Sequence, residues 1–184
     1  MKNTFLCADT HFSHRGMVRY MRPDGVTKQR PWYTIEDMDE ALIENWNRSV
    51  SPKDTVFVLG DLAINRSAVP LISRCNGRKI LVKGNHDNFG LRDYFPHFED
   101  IHAAYRLENF ILTHIPVHVD SVQRWTGNFH GHLHEERVMR PNGEWQGREI
   151  DPRYLCVSME QINYAPIAFD DAVILFNKQN EITE

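Results

Sequence analysis

The sequence is poor in cysteine and has no long hydrophobic run. Its three cysteines, Cys7, Cys75 and Cys156, are odd in number and far apart, which predicts buried apolar side chains in a reducing compartment and not a disulfide framework. No segment approaches the roughly 18 apolar residues of a membrane-spanning helix, and the apolar run near the start is too short for a signal peptide. We therefore expect a cytoplasmic protein with no membrane partner.

A large excess of either charge is also absent. The formal net charge is -4, which argues against wrapping long duplex nucleic acid by charge alone. A small phosphoester, a nucleotide or a short nucleic acid stays open as a partner, because the charges are unevenly spread. The length of 184 residues predicts a single domain over residues 1–184. The sequence does not indicate an oligomeric state.

Apolar runs and amphipathic segments predict an α/β fold. A helix with an apolar stripe begins after Thr34, whose hydroxyl can cap it, and a second amphipathic helix closes the chain from Phe169. Residues 67–75 predict a weak helix, residues 101–113 two strands around a turn near Glu108 and Asn109, and residues 141–143 a turn. The predicted buried strands are residues 4–8, 54–59, 78–83, 110–112 and 154–159.

Metal-binding residue types follow four of these strands within one or two positions. Asparagine and aspartate could simply close a turn, but a turn gives no reason for the histidines. Because the sites of open α/β sheets gather at the carboxyl ends of their strands, we expect these side chains to lie together. The candidate metal ligands are Asp9, His11, Asp61, Asn85, His114, His132 and His134.

This candidate set consists of nitrogen and oxygen ligands. Seven ligands are too many for one tetrahedral structural zinc, and the absence of cysteine disfavours an iron–sulfur or other soft-metal site. The set suits two divalent ions that share a bridging carboxylate at a separation of roughly 3.5–4 Å. We expect Mn²⁺ as the cofactor, with Fe²⁺ and Zn²⁺ as alternatives.

A basic segment follows the first pair of candidate ligands. From residue 15 to residue 30 there are five basic side chains and one acidic side chain. The segment is either a solvated surface or a surface beside the site that attracts an anionic substrate. In the second case His14 and Arg15 are candidate substrate contacts, and His118 is a further one. Trp125 is either a packing residue or a surface on which a base stacks.

Three histidines alternate near the end of the candidate set. On a strand, His130, His132 and His134 would share one face, and Gly131 favours a kink between them. His130 either supports the ligands or is structural.

The motifs form an ordered series along the chain. They are Asp-x-His from Asp9, Gly-Asp ending at Asp61, Gly-Asn-His-Asp over residues 84–87, the single His114, and Gly-His-x-His ending at His134. In this series the chain resembles the calcineurin-like metallophosphoesterases over residues 9–134. The resemblance implies an α/β fold of two packed mixed β-sheets flanked by helices (αββα) and a dinuclear metal-dependent phosphoester hydrolase.

The resemblance also implies a role for each matching residue. Asp61 would bridge the two metals, and a hydroxide between them would attack phosphorus in line. His86 would assist the leaving group, and Asp87 would orient its ring. The ligands of one metal would be Asp9, His11 and His134, and those of the other Asn85, His114 and His132.

Two departures narrow the expected class. Protein serine/threonine phosphatases of this superfamily continue Gly-Asp with Asp-Arg-Gly, whereas here Leu62 and Ala63 follow Asp61. The chain also has no long insertion for a cap or a DNA-binding accessory domain, so it resembles small bacterial or phage-type phosphoesterases. We expect a phosphodiesterase. A phosphomonoesterase acting on a small metabolite and an inactive metal-binding scaffold for a protein partner are the alternatives.

Overall fold

Two β-sheets form the centre of the computed structural model, which describes residues 3–140 and 149–181. The strands, in chain order, are β1 (Thr4–Cys7), β2 (Thr55–Val58), β3 (Arg78–Val82), β4 (Asp100–His102), β5 (Tyr105–Leu107), β6 (Phe110–Leu112), β7 (Gly127–His130), β8 (Tyr154–Cys156) and β9 (Ile167–Ala168). The first sheet has the order β4-β3-β2-β1-β9, with only β9 antiparallel to its neighbour. The second has the order β5-β6-β7-β8, with only β5 antiparallel to its neighbour.

Helices flank the sheets. They are α1 (Ile35–Ser49), α2 (Leu91–Tyr94), α3 (Val119–Val122) and α4 (Phe169–Glu181), with 3-10 helices at Arg66–Arg74 and Met159–Gln161. Thr34 caps α1 as predicted, since its side chain accepts the Asp37 N–H at 3.1 Å. None of the helices in the described ranges is long and apolar enough to cross a bilayer.

Aromatic side chains join the layers. The Phe57 ring of β2 lies 4.7 Å from the Tyr105 ring of β5, which links the two sheets. In the second sheet Phe110 stacks on Phe129 at 4.4 Å, and Phe176 of α4 packs edge-on against Phe110 at 5.3 Å. The prediction of two mixed sheets flanked by helices is confirmed.

Several predicted elements differ in detail. Residues 101–113 contain the predicted hairpin as β5 and β6, but β4 belongs to the other sheet. Strand β7 ends at His130, so His132 and His134 lie in the following loop and do not share a strand face with it. Strand β9 has no counterpart among the predicted strands, because two residues are too few to show a period. The turn predicted over residues 141–143 lies outside the described residues.

The carboxyl ends of β1, β2, β6 and β7 meet at one edge of the sheets. Backbone hydrogen bonds continue between the loops that leave them: the Asp9 N–H donates to the Gly60 carbonyl at 3.0 Å, and the Gly131 N–H donates to the His114 carbonyl at 2.9 Å. The Ala8 N–H donates to the Val157 carbonyl at 2.9 Å, which ties the first sheet to the second. This edge therefore brings together loops that are far apart in sequence.

Candidate metal centre

Three predicted ligands from two loops face one another at this edge. Oδ1 of Asp9 lies 3.8 Å from Nε2 of His11 and 3.9 Å from Nε2 of His134. This oxygen is buried and accepts no hydrogen bond from the described residues. Ions such as Zn²⁺ lie about 2.0–2.2 Å from nitrogen and oxygen ligands, which leaves about 3–4 Å between neighbouring ligand atoms. The three atoms therefore fit around one divalent ion.

Asp61 connects this group to a second one. Its Oδ2 lies 3.7 Å from Nε2 of His11 and 3.4 Å from Nε2 of His114. Nε2 of His114 is also 2.9 Å from Oδ1 of Asn85, and the His132 ring is centred 5.2 Å from the His114 ring. The structure thus brings the seven predicted ligands together at one edge of the sheets, while their binding of metal stays a prediction.

Hydrogen bonds fix the direction in which the candidate ligand atoms point. Oδ2 of Asp9 accepts from the Ser158 hydroxyl at 2.7 Å and from the His132 backbone N–H at 2.9 Å, which turns Oδ1 towards the histidines. Nδ1 of His114 lies 2.8 Å from the Leu59 carbonyl. That bond leaves Nε2 of His114 free to face Asp61.

The electrostatics of the two carboxylates differ. Burial raises the pKa of Asp9 to about 6, against the lowering effect of His134 and His114. Burial acts the same way on Asp61, but its hydrogen bond to His114 and the charge of that ring hold its pKa at about 2. Burial also lowers the pKa of His11 well below its usual value. At neutral pH both carboxylates are ionised and the His11 imidazole is neutral, which are protonation states that bind metal. Against the lowering effect of burial, hydrogen bonds to Asp61 and Glu160 raise the pKa of His114 and His134.

The backbone is strained where the candidate ligands lie. The φ angles are positive at Asp9 (59°), His11 (49°), Asp61 (54°), His132 (71°) and His134 (52°). This left-handed conformation costs a non-glycine residue about 1–3 kcal/mol. Such strain is typical of binding and catalytic sites, and no turn propensity in the sequence predicts it for histidine-rich loops.

Two glycines allow the loops after β2 and β3 to approach each other. Gly60 has a φ of +85°, and a Cβ there would lie 2.5 Å from the Gly84 nitrogen. A Cβ on Gly84 would overlap Oδ1 of Asp61. Larger residues would therefore displace the carboxylate that lies between the two groups.

His86 lies at the mouth of the cluster. Its backbone N–H donates to Oδ1 of Asp61 at 2.8 Å, and its Nε2 lies 4.0 Å from Oδ2 of the same residue. The side chain is 47% exposed. Its ring therefore reaches both the cluster and solvent.

The role inferred for Asp87 is wrong. Its carboxylate is buried and accepts backbone N–H groups from Asp61 at 2.8 Å, Leu62 at 3.1 Å and Gly84 at 2.8 Å. The turn after β3 folds the side chain back onto the end of β2, so the carboxylate binds these amides and does not hold the His86 ring. Asp87 therefore positions the backbone of Asp61.

Of the three candidate substrate contacts, the structure brings only His14 to the site. The His14 ring is centred 5.4 Å from the His11 ring. Arg15 is exposed and lines a surface groove of about 230 Å³ with Tyr33. His118 is 72% exposed and caps α3. Within residues 3–140 and 149–181, neither Arg15 nor His118 contacts a candidate metal ligand.

Sequence reasoning missed three buried side chains behind the cluster: Arg30, Ser158 and Glu160. Arg30 does not belong to a solvated surface, because its guanidinium donates to the carbonyls of Asp9 and Thr10 and to Oε1 of Glu160 at 2.8 Å. Oε1 of Glu160 also lies 3.2 Å from Nδ1 of His134. The one sequence signal is weak: Ser158 lies between the apolar residues Val157 and Met159 in the last predicted strand, and Glu160 follows directly after that strand.

Comparison with known proteins places the chain in a family. The profile of the calcineurin-like phosphoesterases matches residues 3–167. The chain belongs to this family. It is a phosphoric ester hydrolase by that membership, and its Asp–His groups are candidate ligands for divalent metal. The family resemblance predicted from the sequence motifs is confirmed.

The chain is also similar to individual proteins. The uncharacterized protein MJ1445 of Methanocaldococcus jannaschii is 34% identical over 187 residues, 97% of this chain and 93% of the relative. The gene 66 protein of Mycobacterium phage L5 is 32% identical over 94 residues, 47% of this chain and 41% of the relative. The solved structure of a protein of unknown function, AQ665 from Aquifex aeolicus, shares the fold, with a TM-score of 0.67, 19% identity and coverage of 95% of this chain and all of that one (100%).

Proposed function

We propose that the protein is a dinuclear metal-dependent phosphodiesterase. The observation that carries the proposal is the position of Asp61, whose Oδ2 faces His11 at 3.7 Å and His114 at 3.4 Å. One carboxylate oxygen between two groups of ligands suits two adjacent ions. The proposed ligands of one ion are Asp9, His11 and His134, those of the other are Asn85, His114 and His132, and Asp61 is shared by both.

The chemistry of the ligands supports the choice of metal. Imidazole nitrogens together with carboxylate and amide oxygens suit Mn²⁺, with Fe²⁺ and Zn²⁺ as alternatives. When bound, two such ions lower the pKa of a water molecule and neutralise charge on the phosphoryl oxygens. The role of the protein is to hold the two ions close together. The hydrogen bonds to Asp9 and His114 support this role because they orient these two proposed ligands.

His86 is the proposed general acid. Its Nε2 lies 4.0 Å from Oδ2 of Asp61, and its ring is 47% exposed. A leaving oxygen that approaches from the solvent side can therefore accept a proton from this ring. General acid catalysis contributes about 10²–10⁴-fold to the rate. His14, beside His11, is the proposed contact to the substrate.

The solvent-exposed mouth of the candidate metal centre supports a diester substrate over a monoester. A diester carries a second ester group that needs room beside the attacked phosphorus, and the side chains of His86 and His134 are 47% and 23% exposed. A cyclic nucleotide and a short nucleic acid are diesters of this kind. Trp125 gives the proposal no support, because it is half-buried with the Arg106 guanidinium over its ring at 5.9 Å. We also propose a cytoplasmic location, which the three free, buried cysteines support.

The test is a direct comparison of two substrates. Metal-stripped protein is reconstituted with Mn²⁺ and assayed with a bis-aryl phosphate diester and with the matching aryl monoester. We expect turnover of the diester, a 10²–10⁴-fold loss in His86→Ala, and no loss in His97→Ala. His97 is the matched control, because it is a half-buried histidine outside the candidate metal centre whose Nδ1 lies 2.6 Å from the Ser73 hydroxyl.

Each other outcome points to a defined alternative. Preference for the monoester would establish a phosphomonoesterase. No turnover of either ester with two Mn²⁺ bound would favour a metal-binding scaffold for a protein partner. Full activity of metal-loaded His86→Ala would refute the role of His86.

A further inference from the structure

One short segment contacts two of the proposed ligands. It consists of Ser158 and the 3-10 helix Met159–Gln161 that follows it, and we call it the 158–161 segment. The Ser158 hydroxyl donates to Oδ2 of Asp9 at 2.7 Å, and Oε1 of Glu160 lies 3.2 Å from Nδ1 of His134. Nε2 of Gln161 donates to the backbone carbonyl of His134 at 3.0 Å. Three side chains of four consecutive residues thus act on the same group of ligands.

The segment has a fixed position relative to the ligands. The Met159 N–H donates to the Ala8 carbonyl at 3.1 Å, directly before Asp9. Ser158 is fully buried and also forms an isolated parallel bridge with Ala8. The segment follows β8 of the second sheet and is therefore held directly against the chain that carries Asp9.

Each contact orients a ligand atom. The Ser158 hydroxyl binds one oxygen of Asp9 and leaves the other, Oδ1, facing His11 and His134. The Glu160 carboxylate accepts a hydrogen bond from Nδ1–H of His134, which directs the other ring nitrogen, Nε2, towards Oδ1 of Asp9 at 3.9 Å. Gln161 holds the backbone of His134, which has a φ of 52°. A carboxylate that accepts from the other ring nitrogen orients a metal-bound histidine and raises metal affinity.

Arg30 completes the arrangement from behind. Its buried guanidinium donates to Oε1 of Glu160 and to the carbonyls of Asp9 and Thr10. The ion pair keeps Glu160 charged in a buried place. Removing Glu160 would leave Arg30 as an unpaired buried charge, which is strongly destabilising. Ser158 and Gln161 are therefore the better positions for a test.

The contacts are confined to one of the two proposed ion positions. Nδ1 of His114 is bound by the Leu59 carbonyl and its Nε2 faces Asn85, neither of which belongs to the 158–161 segment. We propose that the 158–161 segment is a positioning motif that selectively sets the affinity of the ion position formed by Asp9, His11 and His134. This inference rests on the proposed dinuclear function, and it assigns a role to residues outside the five motifs of the sequence.

The experiment measures metal binding in the absence of substrate. Metal-free full-length protein is titrated with Mn²⁺ by isothermal calorimetry, with bound metal counted by equilibrium dialysis. We expect two classes of site in the wild type. In Ser158→Ala and in Gln161→Ala one class should weaken by about 10–100-fold while the other changes by less than about threefold. The weakened class should be the one that His134→Ala abolishes.

Gln179→Ala is the matched control. Gln179 makes hydrogen bonds of the same kinds as Gln161. Its side chain accepts from Arg137 at 3.3 Å and donates to the backbone carbonyl of Tyr154 at 2.9 Å. Gln161 accepts from the same arginine at 3.1 Å. Only the carbonyl bound by Gln161 belongs to a proposed ligand. We expect the Gln179 variant to bind both ions with wild-type affinity.

The outcomes separate this inference from the function on which it rests. Two unchanged classes in folded Ser158→Ala and Gln161→Ala, or equal weakening of both classes, would overturn the positioning role and leave the dinuclear function standing. A wild-type protein that binds no Mn²⁺ would overturn both. At saturating Mn²⁺ the two variants should regain wild-type turnover, which a general loss of structure would not allow.

Discussion

The Asp9 carboxylate should make the metal-free protein less stable, so Asp9→Asn should stabilise it. Asp9 is fully buried, and burial raises its pKa from 3.8 to about 6. Asparagine carries no charge, and its side-chain oxygen can still accept from the Ser158 hydroxyl and the His132 N–H, which now donate to Oδ2 of Asp9. The variant therefore loses the charge and keeps the hydrogen bonds.

The magnitude and its pH dependence follow from the pKa. Below pH 3.8 the carboxyl is protonated in both the folded and the unfolded state, and its ionisation costs the fold nothing. Between pH 3.8 and about 6 the unfolded state ionises while the buried carboxyl stays protonated, so stability is lost across this range and the loss is complete once the pH has risen through about 6. Each pKa unit corresponds to about 1.4 kcal/mol. The rise of the Asp9 pKa from 3.8 to about 6 therefore lowers the free energy of unfolding at pH 7 by about 3 kcal/mol.

Urea unfolding followed by circular dichroism, in the presence of a chelator, measures this difference. We expect Asp9→Asn to be more stable than the wild type by up to about 3 kcal/mol at pH 7 and by less than about 1 kcal/mol at pH 4. Saturating Mn²⁺ should favour the wild type, because an ion at 100 times its Kd stabilises by about 2.7 kcal/mol.

Asp54→Asn is the control for removal of a buried carboxylate. Hydrogen bonds from the backbone of Asn3 and Ser51 lower the pKa of Asp54, so this variant should be less stable than the wild type at pH 7. A gain for Asp9→Asn that persisted unchanged at pH 4, or no gain at pH 7, would refute the argument from buried charge.

Three further predictions concern the same edge of the sheets. Asp87→Ala should cost about 3 kcal/mol or more in urea unfolding, because three backbone N–H groups lose their acceptor; unchanged stability would contradict the positioning role. Gly84→Ala should lower the Mn²⁺ bound per molecule, measured by dialysis, because its Cβ overlaps Oδ1 of Asp61; full loading would show that the loop adapts freely. The metal-free protein should lose stability as the pH falls from about 4.5 towards 2, since the pKa values of Asp61 and Glu160 are both lowered to about 2; thermal unfolding across this range that showed no loss would contradict those ion pairs.

The gathering of the ligands was predictable because parallel strands expose their carboxyl ends at one edge. Asp9, Asp61 and His114 each follow a short buried strand within three residues. An apolar run that ends in a ligand-type residue therefore carries information about position in space as well as in sequence. The apolar runs predicted β1, β2, β3, β6 and β8, each of which lies within a predicted buried strand, whereas the division into two sheets was implied by the family resemblance.

The role of Asp87 could not be read from the motif. Position in the Gly-Asn-His-Asp stretch places Asp87 next to His86 in the chain, but the turn sends the two side chains in opposite directions. The Asp87 side chain is buried against the backbone of Asp61 and Leu62, and the His86 side chain is 47% exposed. Sequence adjacency says nothing about direction once the backbone leaves a regular strand or helix.

The charge composition of the basic segment, residues 15–30, did not predict where its side chains lie, and the reason is related. Its basic residues suggested one shared surface. In the structure they lie in different environments, and residues far along the chain determine which of them are buried. Arg22 pairs with Glu135 at 2.6 Å near the surface, whereas Arg30 is buried against Glu160, which lies 130 positions away. A charge count cannot distinguish these cases, because burial of an arginine depends on a carboxylate that the fold brings to it. The field around the proposed ions is therefore set by individual pairs and not by the net charge of the segment.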